Sequence, residues 1–68
     1  MSDLRLARRV LKHHRQAALT KNPGLAGEIE QIVAETLREV ELLDDGEAEI
    51  AIQTGCERLL AHALAVRA

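Results

Sequence analysis

Residues 42–50 read LLDDGEAEI, and whether they bend one long helix or join two shorter ones decides the fold. Asp44 can accept a hydrogen bond from a free backbone N–H. Glu47, three positions later, completes the pattern of a capping box, so a new helix is expected to begin here. The connection that remains is only a few residues long. Two helices joined so tightly fold back on one another as an antiparallel αα-hairpin, with a bend in one continuous helix as the competing geometry.

Upstream of this break, Leu25, Ile29, Ile32, Val33, Thr36, Leu37, Val40 and Leu43 recur at helical spacing and form a stripe about 140° wide. Glu28, Gln31, Glu35, Arg38, Glu39 and Glu41 lie outside it. This helix 2 is expected over about residues 23–43, roughly 30 Å long. Downstream, Ala48, Ile52, Gly55, Cys56, Leu59, Leu60, Ala63 and Val66 make the stripe of helix 3, expected over about residues 45–66. Ile50 and Leu64 fall beyond that stripe, and Leu42 sits on the far side of helix 2.

A second break, TKNPG at residues 20–24, precedes helix 2. Proline disfavours helical geometry at Asn22, which can then cap the next helix with Pro23 in its first position; a start nearer Leu25 fits the same signals. Before it, Leu4, Leu6, Ala7, Val10, Leu11, Ala17 and Ala18 share one side of an amphipathic helix 1. Arg5, Arg8, Arg9, Lys12 and Arg15 occupy an arc of roughly 120° on the other. Helix 1 is expected over about residues 3–19, with Asp3 as its N-cap. No alternating strand pattern occurs anywhere. The expected fold is therefore all-α, a single domain over residues 1–68 made of a basic helix 1 and an antiparallel helix 2/helix 3 hairpin.

The net charge of −2 hides a strong segregation: residues 1–22 hold six cations against Asp3, whereas residues 23–68 hold ten carboxylates against Arg38, Arg58 and Arg67. The basic face of helix 1 is thus the expected partner-binding surface, through Arg5, Arg8, Arg9, Lys12 and Arg15. Two partner classes fit a row of cations. An acidic protein surface is the first, where complementary charge tunes specificity and association rate. Nucleic acid is the second, through non-specific contact with the phosphate backbone. Base readout has little to work with, because Gln16 is the one amide on helix 1 and the chain has no aromatic residue for stacking. A membrane partner is not expected, since aromatic interfacial anchors are missing as well.

The core is expected to be thin. The chain has 68 residues and no aromatic, and small folds of this kind commonly add a disulfide, a metal or a second subunit. A lone Cys56 cannot close an internal disulfide, and the expected state is a helical-bundle homodimer. Leu42, Ile50 and Leu64 are its expected self-association residues, joined by Gly55, which with Ala51 places two small side chains four residues apart and lets another helix approach closely. Cys56 itself is expected to be a buried, inert thiol.

Nothing in the chain spells out catalysis. His13, His14 and His62 have no spacing that places two of them on one helical face, and Cys56 and His62 diverge by about 120° around helix 3, so no metal site is expected. No hydroxyl stands beside a histidine and an orienting acid. The NPGLAG segment lacks the lysine of a phosphate loop, so neither a nucleotide nor another cofactor is expected. No stretch reads as a signal peptide or a membrane span, and a cytoplasmic location is expected. Together these readings describe a small, non-enzymatic interaction or regulatory module that self-associates.

Overall fold

The computed structural model describes residues 4–64. Asp3, Val66 and Arg67 lie outside the described residues. The fold is all-α: α1 (Leu4–Lys21), a 3₁₀ turn (Pro23–Leu25), α2 (Ala26–Leu42) and α3 (Asp45–Leu64). Residues 42–50 resolve in favour of the hairpin. Leu43 is extended (φ −111°, ψ 159°) and ends α2. Asp44 then accepts the Glu47 N–H on its Oδ1 at 3.0 Å, and its carbonyl accepts the Ala48 N–H at 2.8 Å. One side chain thus satisfies a backbone donor that α3 could not satisfy within its own first turn.

Long-range polar contacts give the directions of the rods. Arg15 of α1 meets Glu30 of α2, and Glu35 of α2 meets Arg58 of α3. About one turn further along α3, Asn22, just past α1, reaches the carbonyls of His62 and Ala63. Hence α2 runs antiparallel to both neighbours while α1 and α3 run parallel, and α3 packs against both of the others. Leu11 and Ala18 from α1, Ile29, Ile32 and Val40 from α2, and Ala48, Ile52, Cys56 and Leu59 from α3 fill the space between them. The core is thin, as its composition implies. Each of the fully buried residues Leu11, Ile29, Ile52 and Leu59 contributes roughly 1.5–3 kcal/mol of burial.

At the α1–α2 corner the structure departs from expectation. α1 continues to Lys21, beyond the expected end near residue 19, because the Thr20 hydroxyl and the Asn22 N–H still find acceptors on Gln16 and Ala18. Asn22 does not cap the next helix: its side chain makes no capping hydrogen bond, Pro23 opens a 3₁₀ turn, and α2 begins at Ala26. The amide is committed elsewhere. Asn22 is buried, and its Nδ2 donates to the carbonyls of His62 at 2.6 Å and Ala63 at 3.2 Å. These carbonyls lie in the last described turn of α3.

Gly55 is buried in the α2–α3 contact. A Cβ on it would stand 2.5 Å from Oγ1 and 2.9 Å from Cγ2 of Thr36, so its small size serves the approach of α2 within the chain. Leu42, Ile50 and Leu64 are exposed, Leu42 by 82 %.

Candidate functional site

Two features of the surface stand out, and α1 contributes to both. The first is its row of cations. Arg5, Arg8, Arg9 and Lys12 are all exposed, and among the described residues none of them makes an ion pair. Arg15 behaves differently. Its Nε donates to Glu30 Oε1 at 2.8 Å and its Nη2 meets Glu30 Oε2, a two-point contact. Hydrogen bonding to Glu30 and the charge of that carboxylate raise the Arg15 pKa, while the Arg15 hydrogen bond holds Glu30 below the usual carboxylate range. Of the five expected partner-binding cations, one is therefore held by a carboxylate within the chain, and the other four have no ion pair among the described residues.

That row works against the helix carrying it. Arg5 and Arg9, like Arg8 and Lys12, are four residues apart on one face, a like-charge spacing that costs a few tenths of a kcal/mol per pair. The first described turn of α1 contains no acidic residue, and Arg5 in that turn lies toward the positive end of the helix dipole. α2 and α3 do the reverse, with Glu28 in the first turn of one and Asp45 and Glu47 in the first turn of the other.

The second feature is a groove of about 480 Å³ between α1 and α3, on the side away from α2. Leu6 and Val10 form one wall and Leu60 the other, with Ile52 and Cys56 at the floor and Glu49 and Glu57 along the α3 side. Leu6, Val10 and Leu60 are 52 %, 41 % and 45 % exposed. Burial pushes the Cys56 thiol up, so little of it is thiolate at neutral pH. His14 also lines this groove, half-buried, and its ring meets the exposed His13 ring edge-on with centroids 6.1 Å apart. His62 lies on the opposite flank of α3, with Nδ1 3.1 Å from the Arg58 carbonyl and Nε2 3.7 Å from Glu28.

Among the described residues no group of three or more His, Cys, Asp and Glu side chains gathers where it could hold a metal ion. No described helix is long and apolar enough to cross a membrane. Sequence reasoning misses the Asn22 clasp, for which the sequence holds no signal because its two ends lie 40 and 41 residues apart. It also misses the groove, whose walls read as ordinary members of the helical stripes. Compared with protein-family models, curated proteins and solved structures, the chain matches none of them.

Proposed function

We propose that this chain is a small, non-enzymatic interaction module whose α1 cation row binds an acidic segment of a partner protein. The observation that carries this reading is the contrast along α1. Arg15 is neutralised by Glu30, whereas Arg5, Arg8, Arg9 and Lys12 are exposed and make no ion pair among the described residues, at a local cost to the helix. An anionic partner removes the like-charge repulsion. Local rules broken without compensation inside the fold are characteristic of functional surfaces. A protein is favoured over a nucleic acid because the surface around the row offers no aromatic for base stacking.

A direct test compares a glutamate-rich peptide with random-sequence duplex DNA as ligands across a salt series. The peptide is expected to bind the chain, and the triple variant Arg8→Gln, Arg9→Gln, Lys12→Gln is expected to lose it while retaining its helical circular dichroism. Binding of duplex DNA with a log–log salt slope of about −3.6, the value for four neutralised phosphates, and no binding of the peptide would replace this reading with the nucleic-acid one.

A further inference from the structure

We infer that Glu30 is a resident competitor for the cation row: its carboxylate occupies Arg15 within the chain, and a carboxylate of an acidic partner takes its place. Glu30 thereby sets how far along α1 the partner extends. The inference rests on the reading of that row as a surface for an acidic protein segment.

Arg15 belongs to the row by position. Arg8, Lys12 and Arg15 follow one another at spacings of four and three residues, so all three lie along one side of α1. The exposed cations from Arg5 to Lys12 cover about 10 Å of helix axis, and Arg15 lengthens the run to about 15 Å. It is withheld by a residue of another helix. Glu30 reaches across from α2 and uses both oxygens, Oε1 accepting from Arg15 Nε at 2.8 Å while Oε2 meets Nη2. An α1 cation thus already grips a carboxylate, in the fork geometry that arginine offers to any such group.

This pair stands apart from the other charged contacts of α2. Glu35 meets Arg58 by a single contact at 3.4 Å, and Glu28 faces His62 at 3.7 Å. Both of those partners belong to α3. Among the described residues, Glu30 is the α2 carboxylate that pairs with α1.

Exchange at Arg15 costs little. The Arg15 and Glu30 side chains keep 30 % and 48 % of their surface in solvent, and an ion pair so exposed is weak and opens readily. Replacing one carboxylate by another leaves the guanidinium satisfied. Until it is displaced, Glu30 also holds a negative charge at the end of the row, which repels an acidic chain extending past Lys12.

Fluorescence anisotropy with a labelled deca-glutamate peptide at low salt tests the competition. Glu30→Gln frees Arg15 and is expected to tighten binding about five-fold, the upper range for one exposed ion pair. Glu39 is exposed and makes no ion pair among the described residues, so Glu39→Gln removes the same charge from α2 without freeing a cation. Its gain is expected to be clearly smaller. In an Arg15→Gln background, Glu30→Gln is expected to gain no more than Glu39→Gln does. Equal gains from Glu30→Gln and Glu39→Gln, or a full gain that survives without Arg15, would overturn the proposal.

Nuclear magnetic resonance of the unaltered chain gives a second readout. The Arg15 Nε–H signal is expected to shift as the peptide is added, and a signal that stays in place while the peptide binds sinks the competitor. This measurement decides if circular dichroism finds the Glu30→Gln chain unfolded. Peptide bound by wild type, lost by the triple variant Arg8→Gln, Arg9→Gln, Lys12→Gln and indifferent to Glu30 leaves the row standing and removes only the competitor. Absence of binding to wild type and Glu30→Gln alike removes both.

Discussion

Thr36 of α2 rests on the bare backbone of Gly55 in α3, close enough that a methyl group at Gly55 would fall 2.5 Å from the Thr36 hydroxyl oxygen. That hydroxyl cannot swing away freely: it donates to the Ile32 carbonyl at 2.8 Å, and Thr36 is buried. Gly55→Ala gains about 1 kcal/mol of helix propensity but overpacks the contact, at a typical cost of about 1–3 kcal/mol. The expected net effect is destabilisation, read by urea unfolding. Adding Thr36→Ala should recover part of the loss, a non-additive coupling that two independent sites would not show.

Asn22→Ala should destabilise the bundle by about 1–2 kcal/mol, because it removes the buried amide that ties the α1–α2 corner to the His62 and Ala63 carbonyls. Asn22→Asp should be worse, since it turns an anionic oxygen toward two carbonyl oxygens. Thermal unfolding gives the magnitude. Amide hydrogen exchange gives the location: protection should fall in the last turn of α3 and at the α1–α2 corner before it falls at the α2–α3 connection.

Acid should weaken the link between α1 and α2. The Arg15 hydrogen bond lowers the Glu30 pKa in the folded chain, so this carboxylate contributes stability that is fully present above its unfolded value, about 4.3, and is lost as pH falls through the lower folded value. Wild type and Glu30→Gln should therefore differ in urea midpoint at pH 7 and converge below about pH 4. A difference that persists unchanged at pH 2 would mean that Glu30 acts through packing instead.

Cys56 should be slow to alkylate. Its thiol is buried and its pKa is raised by that burial, and both effects reduce the population of accessible thiolate. At pH 8 iodoacetamide should modify the native chain far more slowly than it modifies free glutathione, and urea should remove the difference. Rapid native labelling would show that the groove opens down to its floor.

Much of this architecture is legible in the sequence because its signals are local. The stripe from Ile29 to Val40 predicts the buried face of α2, and Asp44 with Glu47 predicts the start of α3. The corner at Asn22 is less legible: an asparagine before a proline has the chemistry of an N-cap, and only the approach of α3 diverts its amide. Gly55 illustrates the same gap. Its smallness signals a close helix approach, but spacing within one helix does not identify which helix approaches. The groove escapes for a geometric reason. Periodicity shows which side of a helix is apolar, whereas the arc that is covered depends on how many neighbours it has. Leu6, Val10 and Leu60 belong to apolar stripes wider than two neighbouring helices can cover.

The separation of charge between the rods has a consequence at long range. With six cations on α1 and the carboxylates carried by α2 and α3, the molecule carries an electrical moment directed across its length. It rotates as it diffuses, turning α1 toward any anionic body before contact, and its capture rate should fall as added ions shorten the reach of that field.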